Sequence, residues 1–191
     1  MAKNVDRAAQ TKARLVAAAR KLFASDGYGA TGTEAILAEA GATRGALYHH
    51  YRDKADLFEA VCRDLAGEAA REVEAATDGI AAPVEALKAG SRAWIDFMAR
   101  PECRRILVVD APGVLGRERW EELDRDLSFD LLKTGVDGAV EAGAIRFDAG
   151  AEALSVLLNG AMNQIALRAG DEADTERLTA GLLELLDRLG G

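Results

Sequence analysis

The chain has 191 residues, 49% of them hydrophobic, with three prolines, two cysteines and a net charge of −8. That length can bury a substantial core, and the composition excludes a disulfide scaffold and an intrinsically disordered chain. No stretch approaches the roughly 18 apolar residues of a membrane span, residues 1–10 are polar rather than a leader, and Cys62 and Cys103 suit a reducing cytoplasm.

The apolar residues are mostly alanine and leucine, and no run alternates β-branched residues, so an all-α fold is expected. Charge is unevenly placed. Residues 1–54 carry nine Lys/Arg and five Asp/Glu, a balance of +4, whereas residues 55–191 carry 15 and 27, a balance of −12. A basic end that meets nucleic acid and an acidic body that discourages non-specific adhesion fit this split. The charge split supports a two-part protein, with expected domains over residues 1–54 and 55–191.

The first helix is expected over about Thr11 to Ser25, with Leu15, Ala19, Leu22 and Phe23 at helical spacing and Asp26-Gly27 as its stop. The stretch Thr33 to Lys54 then reads as two short helices joined by a tight turn. Thr31 lies three residues before Glu34, the spacing of a capping box. Ile36, Leu37 and Ala40 make an apolar face, and Gly41 allows the left-handed residue that ends a helix. Thr43 is placed to cap the next helix. In that helix Leu47 and Tyr51 can turn inward together, leaving Arg44, Gly45, Tyr48 and His49 outward. His49 and His50 point about 100° apart on a helix, one to DNA and one to packing. Gly45 costs helix stability, which points to close approach by another molecule. Asp53 can cap the following helix, and Lys54 in its first turn works against the helix dipole, a conflict that an external phosphate would relieve.

Two short helices with these outward groups make a helix-turn-helix, whose second helix enters the DNA major groove. The segment from Ala9 to Phe58 resembles the DNA-binding domain of the TetR family of bacterial transcriptional repressors. The resemblance rests on Ala18, Leu22, Phe23, Gly27, Tyr28, Thr31, Ile36, Ala40, Gly41, Thr43, Gly45, Leu47, Tyr48, Tyr51, Lys54 and Leu57. Gly32 and Thr33 replace a common Thr-Val pair, Leu37 a usual alanine and Tyr51 a usual phenylalanine. The candidate DNA contacts are Thr31, Thr33, Thr43, Arg44, Gly45, Tyr48, His49 and Lys54. Tyr48 and Lys54 would hold phosphates and Arg44 would reach a guanine edge.

Further helices are expected from Lys54 to about Ala76, from Pro83 to about Ala99, and over Cys103 to Asp110. The stretch from Ala111 to Gly116 reads as a loop, followed by a helix from Arg117 to Ala142. Two more helices follow, over Ala151 to Ala169 and Thr175 to Leu189. The resemblance implies a small-molecule cavity in the C-terminal part. The bulky residues Trp94, Phe97, Met98, Trp120, Leu123 and Leu127 are its candidate lining. The helix from Ala151 is apolar around most of its circumference, and the last helix bears two leucine stripes, one of which needs a partner. These two helices form the expected homodimer interface, through Leu158, Met162, Ile165, Leu178, Leu182 and Leu185.

Catalysis finds no support. There is no Gly-rich phosphate loop, no nucleophile elbow and no metal-ligand spacing, and both histidines lie in the helix-turn-helix. No cofactor or metal is expected. The expected protein is a cytoplasmic, homodimeric regulator, a repressor that binds a palindromic double-stranded DNA operator and is released by an unidentified small molecule. The alternative is a helix-turn-helix binder or activator with no effector.

Overall fold

The computed structural model describes residues 2–125 and 129–191, with side chains from Arg7 onward. Among those residues the fold is helical and contains no strand. The chain divides into two compact units, Met1–Leu65 with Pro101–Glu118, and Ala66–Arg100 with Arg119–Gly191.

The first unit holds α1 (Ala2–Ala30), α2 (Thr33–Ala40), α3 (Arg44–His50) and the opening turns of α4 (Lys54–Thr77). Its core is Leu15, Ala19 and Phe23 of α1, Ile36 of α2, Leu47 of α3, and Leu57, Phe58, Val61 and Leu65 of α4. Phe23, Tyr28 and Phe58 meet as an aromatic cluster with centroids 5.0–5.7 Å apart. The expected stop at Gly27 is a kink: this residue adopts φ 80°, and the chain resumes helical form as far as Ala30. Only glycine fits, because a side chain there would meet the Arg105 guanidinium as well as the left-handed backbone. The Tyr28 N–H, displaced from the helical ladder, donates to Asp110 Oδ2 at 2.9 Å.

Asp110 reaches that position through α6 (Pro101–Cys103), a π-helical stretch over Arg104–Asp110, and α7 (Ala111–Asp124). The expected loop from Ala111 to Gly116 is therefore wrong: the chain stays helical and breaks only at Gly116, φ 76°. Pro112 and two glycines made the segment look like a turn. The wide π turn before Pro112 leaves room for a ring that an α turn would press against the carbonyl four residues back.

The second unit packs α5 (Pro83–Ala99) against α8 (Asp130–Glu141), α9 (Ala151–Arg168) and α10 (Glu172–Gly190). Leu87, Trp94, Ile95, Val136, Ala139, Leu154, Leu158, Met162, Ile165, Leu182 and Leu186 are buried. Pro83 occupies the first turn of α5, where its missing N–H costs nothing. Lys88 and Arg92 of α5 pair with Asp187 at 2.6 Å and Glu176 at 2.8 Å on α10. Of the single helix expected from Arg117 to Ala142, the described residues show α7 as far as Asp124 and α8 from Asp130, and residues 126–128 lie outside the described residues.

Candidate nucleic-acid interface and apolar cavity

The turn between α2 and α3 follows from its residues. Gly41 takes φ 57°, and the Ala42 N–H donates to the Leu37 carbonyl, closing α2. The Thr43 hydroxyl accepts from the Ala46 N–H at 3.2 Å and opens α3. Leu47 is buried and fixes the rotation of α3, so that Thr43, Arg44, Gly45, Tyr48 and His49 are all exposed. A side chain at Gly45 would meet nothing within 4 Å. Thr33 is half-buried at the start of α2. Arg44 and Glu34, both well exposed, pair at 3.0 Å across the two helices.

Two expected DNA contacts are placed otherwise. Thr31 is 3% exposed, and its hydroxyl donates into the end of α1, to Gly27 O at 2.8 Å and Leu22 O at 3.2 Å. It forms no capping box: the cap of α2 is Gly32, without a side-chain bond. Lys54 is half-buried, and its ammonium donates to the carbonyls of Tyr28 and Thr31 at 2.8 and 2.9 Å and lies 4.0 Å over the Tyr28 ring. The conflict with the dipole of α4 is thus offset inside the protein, by carbonyls that α1 leaves unpaired. At most one Lys54 N–H remains for a phosphate. Asp53 does cap α4, accepting from the Asp56 N–H at 2.8 Å.

The second unit contains an apolar cavity of about 420 Å3. Its walls come from α4 (Val73, Thr77), α5 (Leu87, Gly90, Ser91, Trp94), α8 (Leu131, Thr134, Gly138) and α9 (Asn159, Met162), with Ile80, Leu132 and several small residues completing them. Among the described residues of the expected lining, Trp94 alone is present. Phe97, Met98 and Leu123 are buried elsewhere, Trp120 is half-buried away from the cavity, and Leu127 lies outside the described residues. Bulk misled the reading, because large side chains fill space and a cavity forms where they are missing. Gly90 and Gly135 are the missed signal. Side chains there would meet Val73 and Thr77 at 3.2–3.4 Å, and Leu87 at 3.0 Å, so the helices approach closely at these points.

The expected dimer residues also divide. Leu158, Met162, Ile165 and Leu182 are buried within their own chain, Met162 in the cavity wall, and Leu178 is half-buried. Only Leu185, on α10, is exposed, and the exposed large apolar side chains of α9 are Val156, Leu157 and Leu167. Helical spacing gave two leucine stripes without saying which faced inward.

Two family patterns match: bacterial regulatory proteins of the tetR family over residues 15–61, and the tetracyclin repressor-like C-terminal domain over residues 84–190. The chain belongs to the TetR family. It is accordingly a DNA-binding transcriptional regulator, of a family of regulators rather than enzymes. It is 26% identical over 187 residues to the transcriptional repressor AcnR of Corynebacterium glutamicum, covering 97% of this chain and 94% of that one. A TetR-family regulator of Pectobacterium atrosepticum is 30% identical, with a TM-score of 0.77 over 96% of this chain and 94% of that one. FadR of Bacillus subtilis, solved in complex with stearoyl-CoA, shares the fold at 16% identity, with a TM-score of 0.76 over 91% and 96% of the two chains. Among the described residues of this TetR-family chain, no helix is long and apolar enough to cross a membrane.

Proposed function

We propose that the protein is a cytoplasmic, homodimeric repressor that binds a near-palindromic operator through α3 and is released when a small molecule enters the cavity. The observation that carries this reading is the bare outer face of α3. Arg44, Tyr48 and His49 stand exposed together on a helix capped by Thr43, with open space over Gly45. Residues 1–54 act as the reading head, and effector binding and dimerisation belong to residues 55–191. Arg44 reads a base edge, Tyr48 and the Thr43 hydroxyl hold phosphates, and Thr33 and His49 flank them. Thr31 and Lys54 hold the end of α1 beside the start of α4 and position the head.

The exposed apolar side chains Val156, Leu157 and Leu167 of α9 and Leu185 of α10 support a two-fold partner whose face covers them. A second copy buries that face and sets two α3 helices to read half-sites about 34–36 Å apart. The cavity supports an effector, as does the ligand complex of FadR, a protein of the same fold. Helix α4 runs unbroken from Lys54, next to the reading head in sequence, to Thr77 in the cavity wall. A ligand that displaces Val73 or Thr77 moves one continuous rod, and it shifts the dimer only by its preference for the released spacing.

Sequencing DNA fragments captured by the purified protein tests the reading. Recurrent paired half-sites about one helical turn apart are expected. Fragments with no shared paired motif would overturn it.

A further inference from the structure

We infer that the effector is a neutral, largely apolar molecule carrying a hydroxyl or carbonyl oxygen, and not a carboxylate, a phosphate ester or a cation. The inference rests on the cavity being the effector site. No Asp, Glu, Lys, Arg or His occurs among the 19 described residues that line the cavity. A charge brought into such a wall loses its hydration and finds no counter-charge, a penalty far above that for a neutral oxygen that can still be hydrogen-bonded.

Three basic residues beside the wall in sequence are already engaged by carboxylates. Lys88 and Arg92, on the same helix as Leu87, Ser91 and Trp94, are held by Asp187 and Glu176 of α10. Lys133, beside Thr134, is held by Asp137 at 2.6 Å. A carboxylate contacts the wall: Asp124 accepts from the Asn159 amide at 3.2 Å. That bond leaves Asn159 Oδ1 as an acceptor toward a ligand hydroxyl.

The remaining polar groups are few and uncharged. The hydroxyls of Thr77 and Thr134 already donate to carbonyls of their own helices. Ser91 supplies a hydroxyl in a nearly buried position. The indole Nε1–H of Trp94 is buried without a hydrogen-bond partner among the described residues, and a ligand oxygen that reaches it satisfies it. One donor, one hydroxyl and one amide oxygen against a hydrocarbon wall describe a ligand with one or two neutral oxygens on an apolar skeleton.

Calorimetric titration of the full chain at pH 8 with 2-decanone, 1-tetralone and decanoate tests this. At least one of the two ketones should bind, and decanoate should bind at least tenfold more weakly. Thr134→Trp, at the exposed rim, should weaken ketone binding at least tenfold while the circular dichroism spectrum stays that of the parent. Decanoate binding as tightly as the ketones, or neither ketone binding at millimolar concentration, would overturn the ligand class. So would unchanged ketone affinity in Thr134→Trp. The captured operator provides a separate arm. If a ketone binds in the cavity while operator affinity stays unchanged, the ligand class stands and the effector reading falls.

Discussion

The Arg44 guanidinium and the Glu34 carboxylate meet at 3.0 Å on the open face of the helix-turn-helix, with both side chains more than half exposed. An exposed pair of this kind contributes little stability, so a guanine edge can displace Glu34 from Arg44. On random DNA no guanine edge displaces the pair, and Glu34 keeps the Arg44 charge from the phosphates. Arg44→Ala should cost roughly 1–3 kcal/mol on the captured operator and relax preference at one base position. Glu34→Gln should tighten binding to random DNA more than to the operator. Competition binding checks both, and equal tightening on the two DNAs would remove Glu34 from any part in discrimination.

Lys54 should behave as a structural cation. Removing an ammonium that donates to two carbonyls leaves both acceptors unpaired, so Lys54→Ala should destabilise the protein by about 1–3 kcal/mol in urea unfolding. Its salt dependence of DNA binding should change by less than one ion. A full one-ion loss at unchanged stability would return Lys54 to the phosphate backbone.

Charge on the two leucine faces should have different consequences. Leu157→Asp or Leu185→Glu should give folded monomers by sedimentation, because each removes an exposed apolar group from the proposed seam. Leu182→Asp should unfold the chain, since that side chain is buried in its own subunit. A folded dimer with Asp at position 157 and Glu at 185 together would place the partner elsewhere.

Burial, and after it the carboxylates of Glu59 and Asp110, push the Cys62 thiol well above its ordinary value. Above about pH 8.5 an unfolded thiol loses its proton while the folded one keeps it. The unfolded state then binds fewer protons, and stability falls as pH rises. Burial raises Tyr28 and Tyr51 as well, and their contribution begins nearer pH 10. Between pH 8.5 and 9.5 the Cys62→Ala variant should therefore lose stability less steeply than the parent, by up to about 1.4 kcal/mol per pH unit. Parallel slopes in urea unfolding would show that the thiol ionises in the folded chain.

The reading head was legible because its residues carry local instructions. Gly41 must be left-handed, Thr43 must cap and Leu47 must be buried, and each acts within a few residues of itself. The fate of Thr31 and Lys54 was not legible, because their partners are the carbonyls of Leu22, Gly27, Tyr28 and Thr31, which come within reach only as the kinked end of α1 sets them. The cavity was hidden for another reason. Its wall joins α4, α5, α8 and α9, and helical periodicity within one element does not report which face meets which neighbour.

The cavity owes its volume to positions that carry almost no side chain, and these are not equivalent. At Gly90 and Gly135 an added methyl would press on Val73, Thr77 or Leu87, so those two sites hold the helices at their spacing. Gly138 also lines the space, but a side chain there meets nothing within 4 Å. One codon change at Gly138 can reshape the opening without asking any neighbour to move. The helical frame can therefore stay constant while the molecule it answers to changes, and a shift in effector need not pass through an unstable intermediate protein.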